Sequence, residues 1–106
     1  DITLPIAHGE GKFFANKEIL KQINKKNLVA LKYNKINPTG TLENIAGITD
    51  ESKRIFGLMP HPERAMFFTQ LPNWPYLKEK YLRTGKKLPE FGPGLQIFKN
   101  GVNYFK

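Results

Sequence analysis

Gly57-Leu58-Met59-Pro60-His61-Pro62-Glu63-Arg64 is the stretch on which the reading of this chain turns. Pro60 cannot donate to a strand ladder and ends the apolar run before it. Met59 and His61 each precede a proline and are biased toward extended backbone. In an extended segment residues i and i+2 point to the same side, so the imidazole of His61 and the carboxylate of Glu63 are expected to face one another across Pro62. A carboxylate beside a histidine accepts one ring N–H, fixes the tautomer and stabilises the imidazolium. The other nitrogen can then take a proton from a nucleophile. That is the outer half of a catalytic triad. On spacing alone an alternative stands, because a His-x-Glu match arises readily by chance and Glu63 could pair with Arg64 or a lysine instead.

Upstream, Ile2 to Ala7 is a short apolar run interrupted by Pro5, and it stops at His8-Gly9-Glu10-Gly11. The pattern predicts a strand, then a loop whose glycines allow close backbone approach to a ligand. Asn16 is placed to cap a helix over Lys17 to Lys26, with Ile19, Leu20 and Ile23 on one face and lysines on the others. Leu28 to Tyr33 is a continuous run suited to a strand buried on both faces. Asn34 to Thr41, containing Asn37-Pro38-Thr39-Gly40, is turn-rich. Ile45 to Ile48 and Ile55 to Met59 flank the polar connector Thr49 to Arg54 and are expected to pair as strands.

Downstream, Ala65 to Leu71 predicts a short helix, and Pro72 to Gly94 is irregular, with about two helical turns over Tyr76 to Leu82. Leu95, Phe98, Val102 and Phe105 recur at three- and four-residue spacing, which predicts a closing helix with one apolar face, weakened slightly by Gly101. Strands and helices interspersed in this order point to α/β or α+β architecture.

A length of 106 residues lies within the range of one domain, and is equally compatible with part of a larger one. Seventeen Lys and Arg against nine Asp and Glu give a charge of +8, but the lysines are scattered and form no block, as on a solvated surface. The chain has no cysteine, hence no disulfide, thiolate metal site or cysteine nucleophile of its own. No stretch approaches the roughly 20 apolar residues of a membrane span. Asp1-Ile2-Thr3-Leu4 does not read as a signal segment, so a cytoplasmic protein is expected. His8 and Glu10 with His61 and Glu63 raise the alternative of a metal site, although the two histidines have a simpler account and no metal is expected.

The segments Leu4 to Phe13, Asn37 to Thr41, Ile45 to Ile48 and Gly57 to Arg64, in this order, resemble the glutaminase part of the phosphoribosylformylglycinamidine synthase family of purine biosynthesis. The family pattern runs P-I-A-H-G-E-G, then N-P-N-G-S, I-A-G-I and G-L-M-P-H-P-E-R. Thr39 and Thr41 replace its commoner Asn and Ser, and Gly92 to Phe105 is similar to its closing helix. The resemblance implies a class I, triad-type glutamine amidotransferase, of which residues 1–106 would be the C-terminal part. Its fold is a doubly wound, flavodoxin-like α/β sheet with flanking helices, and this chain would supply the later strands. His61 and Glu63 stand at the His and Glu of the family triad. The cysteine would lie upstream of Asp1, so the chain alone is expected to be inactive. His8, Gly9 and Glu10 match a loop beside the glutamine α-amino and α-carboxylate groups, contacted largely through main chain.

The partners implied are glutamine, the N-terminal half of the same domain and a synthase subunit or domain that receives ammonia. ATP and Mg²⁺ belong to that synthase, and no cofactor is implied for this chain. A chain that is half of such a sheet would also be prone to form a homo-oligomer. The competing reading is a basic nucleic-acid-binding or assembly module without chemistry. It accounts for the charge but for none of the motifs, and neither nucleic acid nor membrane is expected as a partner.

Overall fold

The computed structural model describes residues 1–7 and 9–106, and along them helices alternate with a small antiparallel sheet, a mixed arrangement consistent with the α/β class. The chain divides into two compact units, Ala7–Pro60 and Asp1–Ile6 with His61–Lys106.

In the Ala7–Pro60 unit, helix α1 spans Lys17–Lys25. Asn16 is extended and its side chain accepts from the N–H of Ile19 at 2.9 Å, satisfying one of the donors a helix start leaves open. Ile23 is the buried residue of this helix. The helix ends where Asn27 turns left-handed with φ 57°, and the N–H groups of Asn27 and Leu28 donate to the carbonyls of Asn24 and Ile23. Asparagine tolerates that conformation better than most residues, so the sequence supplies its own stop signal.

Strand β1, Val29–Lys32, follows at once and pairs antiparallel with β2, Ile45–Thr49, which pairs antiparallel with β3, Phe56–Leu58. The hairpin expected from the two apolar stretches is present. Its connector is tied by Asp50, whose carboxylate accepts from the N–H groups of Arg54 and Ile55 and from the Ser52 hydroxyl. The β1–β2 connection is closed by Asn37, whose amide accepts from Thr41 N–H at 3.0 Å and donates to Thr41 C=O at 2.8 Å. Ile45 and Ala46 are the buried apolar residues of the sheet.

β1 departs from expectation. Its residues alternate between half-buried and exposed rather than being buried on both faces. β1 lies at the edge of the three-strand order, and Ala30 and Lys32 remain open to solvent.

In the other unit the strand expected over Ile2 to Ala7 does not form. Pro5 has no N–H to give a ladder, and its carbonyl instead accepts from His61 N–H at 2.8 Å. The expected helix over Ala65 to Leu71 is replaced by two short 3₁₀ turns, Pro62–Ala65 and Phe68–Gln70. Ala65 and Phe68 are buried, and Phe68 meets the Tyr81 ring edge-on at 6.1 Å. Helix α2, Trp74–Arg83, is longer at both ends than the expected Tyr76 to Leu82; at its start Pro75 falls in the first turn, where its missing N–H costs nothing. Helix α3, Leu95–Tyr104, forms as its periodicity predicts. Among the described residues no helix is long and apolar enough to cross a membrane.

Candidate active site

His61 sits at the entry to the Pro62–Ala65 turn with φ −107° and ψ 90°, the extended backbone that a following proline favours. Its own N–H is anchored on Pro5 C=O, and its C=O accepts from Arg64 N–H at 3.1 Å. Nδ1 of His61 lies 2.6 Å from Oε1 of Glu63. The pairing anticipated from the sequence is therefore made, although the route differs. Glu63 lies within a 3₁₀ turn rather than along an extended strand, because Pro62, with its φ fixed near −65°, starts a helical turn readily.

The two side chains differ in environment. His61 keeps 29% of its side-chain surface exposed, and Glu63 keeps 52%. The histidine is thus partly shielded while the carboxylate remains hydrated. The hydrogen bond to His61 holds the Glu63 carboxyl below the usual carboxylate range, aided by Glu63's own N–H and, to a lesser degree, by the charges of His61 and Arg64, against an opposing effect of desolvation. An ionised carboxylate at Nδ1 favours the tautomer that carries its proton there and assigns proton exchange to Nε2.

The turn carrying Glu63 is fixed from two sides. Gln70 Oε1 accepts from the N–H groups of Met66 and Phe67, both at 2.9 Å, and Gln70 Nε2 donates to Glu63 C=O at 3.2 Å. On the other side Gly92 N–H donates to Met66 C=O at 2.7 Å and Gly94 N–H to Ala65 C=O at 2.9 Å. A Cβ on Gly92 would lie 2.4 Å from the Ala65 oxygen, and one on Gly94 2.1 Å from the Pro62 oxygen, so this approach requires glycine. Sequence reasoning passed over Gln70 and the Gly92-Pro93-Gly94 strap. The signals available were a glutamine among apolar neighbours and two glycines bracketing a proline.

The other predicted site residues belong to the Ala7–Pro60 unit or lie outside the description. His8 lies outside the described residues. Gly9 and Glu10 are exposed. Glu10 lines, with Gly11, Phe13, Ile45, Ala46 and Met59, a mostly apolar cleft of about 320 Å³ beside β2 and β3.

A histidine whose Nδ1 is held by a carboxylate has the geometry to pass a proton through its other ring nitrogen. The chain belongs to the CobB/CobQ-like glutamine amidotransferase domain family, whose model matches residues 1–105. It is similar to the phosphoribosylformylglycinamidine synthase subunit PurQ of Methanococcus maripaludis, 40% identical over 114 residues that cover 96% of this chain and 42% of the relative. The same-named subunit of Dehalococcoides mccartyi is 44% identical over 109 residues, 97% of this chain and 39% of the relative. That of Campylobacter jejuni is 59% identical over 64 residues, 60% of this chain and 28% of the relative. Where the match runs the length of this chain, it spans about two fifths of the curated relative. No solved structure matches it.

Proposed function

We propose that this chain carries the His–Glu half of the catalytic triad of a glutamine amidotransferase that serves phosphoribosylformylglycinamidine synthase in de novo purine biosynthesis. The observation that carries the proposal is the 2.6 Å contact between His61 Nδ1 and Glu63 Oε1. Family membership and similarity to the PurQ subunits support the reaction and its setting.

In this reading His61 Nε2 takes the proton of a cysteine thiol as the sulfur attacks the glutamine amide carbon. It then gives that proton to the departing nitrogen, which leaves as ammonia. Glu63 holds Nδ1–H throughout and offsets the positive charge that the ring acquires between the two transfers. Water on the same histidine then releases glutamate. These 106 residues hold no cysteine, so the thiol comes from another part of the protein. His8, Gly9 and Glu10 lie beside the α-amino and α-carboxylate groups of glutamine. The ammonia passes to a cytoplasmic synthase partner, whose ATP and Mg²⁺ chemistry asks nothing of this chain. The three-stranded sheet joins a larger doubly wound, flavodoxin-like sheet built with the N-terminal half of the domain.

The test is glutamate release by the full-length protein with its synthase partner. His61→Ala should abolish glutamine-dependent synthesis and leave ammonia-dependent synthesis intact, and the 106 residues alone should release no glutamate above background. Equal loss with both nitrogen donors would place His61 in the scaffold and remove the proposal's main support.

A further inference from the structure

We infer that Gln70 is a positioning residue for the His61–Glu63 pair, a role that rests on the functional reading above and extends it to a side chain outside the motif. One amide reaches three main-chain groups of the same turn: the N–H groups of Met66 and Phe67 and the C=O of Glu63. Both N–H groups take the Gln70 oxygen as acceptor at 2.9 Å, a role that would pass to water without it. Water supplies hydrogen bonds but no fixed geometry.

The turn is also met by Gly92 and Gly94, which bond Met66 and Ala65 and leave no space for a Cβ against Ala65 and Pro62. Among the described residues the hydrogen bonds of that strap go to the Met66 and Ala65 carbonyls, and none goes to the Glu63 carbonyl. Gln70 alone among the described residues reaches this carbonyl from a side chain. Rotation of the Glu63 peptide swings the carboxylate, and a displacement of about 1 Å at a catalytic group is enough to cost on the order of a hundredfold in rate. Gln70 therefore acts through Glu63 on the tautomer of His61 and takes no part in the proton transfers.

The experiment uses the full-length protein and two substitutions. Gln70→Met keeps the bulk and removes both the acceptor and the donor. Gln70→Glu keeps an acceptor for the two N–H groups. Two readouts are taken: the ¹⁵N spectrum of the His61 ring, which reports the tautomer without any turnover, and kcat and KM for glutamine. Gln70→Met should convert the Nδ1–H pattern to the mixed tautomers of a free imidazole. It should also lower kcat by about tenfold to a hundredfold at nearly constant KM. Gln70→Glu, which keeps the acceptor but loses the donor to the Glu63 carbonyl, should change the ring spectrum and kcat in the same direction. A wild-type ring spectrum in Gln70→Met would overturn the inference, as would one in Gln70→Glu. If Gln70→Met does not fold, the Gln70→Glu spectrum decides: mixed tautomers support the role, and Nδ1–H retained refutes it. Absence of glutaminase activity in the wild type would remove the functional reading while the ring spectra still tested the positioning.

Discussion

Nδ1 of His61 and Oε1 of Glu63 meet at 2.6 Å across a turn that begins at Pro62, with the histidine backbone tied to Pro5 and the glutamate backbone tied to Gln70. Each partner is thus placed by main-chain bonds of its own, and removing one side chain should leave the other near its position. In the full-length protein His61→Ala is expected to lower glutamine-dependent turnover by about a thousandfold or more. Glu63→Gln should lose less, about tenfold to a hundredfold, because the amide oxygen can still accept from Nδ1–H. Steady-state kinetics with glutamine and with ammonia check both. Equal losses would mean that the glutamine presents its NH₂ to the ring and fixes the wrong tautomer.

The same contact sets an acid limit. The Glu63 carboxyl is held below the usual carboxylate range, chiefly by its hydrogen bond to His61. A group whose folded value is depressed contributes fully above its unfolded value and loses that contribution as pH falls through the folded one. The pair should therefore persist through the ordinary glutamate range and break only at lower pH. A ¹³C titration of the Glu63 carboxyl is expected to show a midpoint below the ordinary value, and His61→Ala should move it upward. A midpoint at or above the ordinary range in the unaltered chain would contradict the geometry.

Much of this was legible because it is local. The Asn16 cap, the i, i+3, i+4 spacing of Leu95, Phe98 and Val102, and the apolar runs around Thr49 to Arg54 each depend on neighbours within a few residues, and α1, α3 and the β2–β3 hairpin form as they predict. The His61–Glu63 pair was legible for the same reason. The Ile2 to Ala7 run was misread because composition does not reveal whether a partner strand exists, and Pro5 spends its carbonyl on His61 N–H instead. Gln70 and the glycine strap were missed because they act on the main chain of the turn, the strap from nearly 30 residues away. Main-chain contacts over that distance leave no period in a sequence.

Two glycines of the same segment should respond oppositely to alanine. A Cβ at Gly94 would sit 2.1 Å from the Pro62 carbonyl oxygen and 2.9 Å from its carbon, both of them backbone that cannot rotate away. Gly94→Ala is expected to destabilise by about 1–3 kcal/mol, as overpacking does. Gly101 lies inside α3 with nothing within 4 Å of an added Cβ. Gly101→Ala should stabilise by about 0.5–1 kcal/mol through helix propensity and a less flexible unfolded chain. Urea unfolding of the two variants beside the parent checks the pair, and a neutral Gly94→Ala would show that the strap yields.

The last prediction concerns the 106 residues on their own. Phe14, Ile36 and Ile55 in one unit are 70% or more exposed, and in the other the apolar stripe of α3 remains open, with Val102 at 60% and Phe105 at 69%. Single exposed apolar residues are ordinary, but a helix face that the sequence builds with regular spacing and the fold leaves in water is a surface made to be covered. β1 and β3 end the three-strand order, so each also presents an edge to a further strand. Association removes apolar surface from water at about 25 cal/mol per Å², which favours contact between copies once concentration offsets the entropy lost. The isolated chain is therefore expected to self-associate, with an average mass by light scattering that rises above 12.2 kDa across a concentration series. Phe98→Lys and Val102→Lys together should suppress the rise if the α3 face is the contact. A monodisperse 12.2 kDa monomer with a cooperative melt would show instead that these residues are self-sufficient, and that the exposed stripe has no demand for cover.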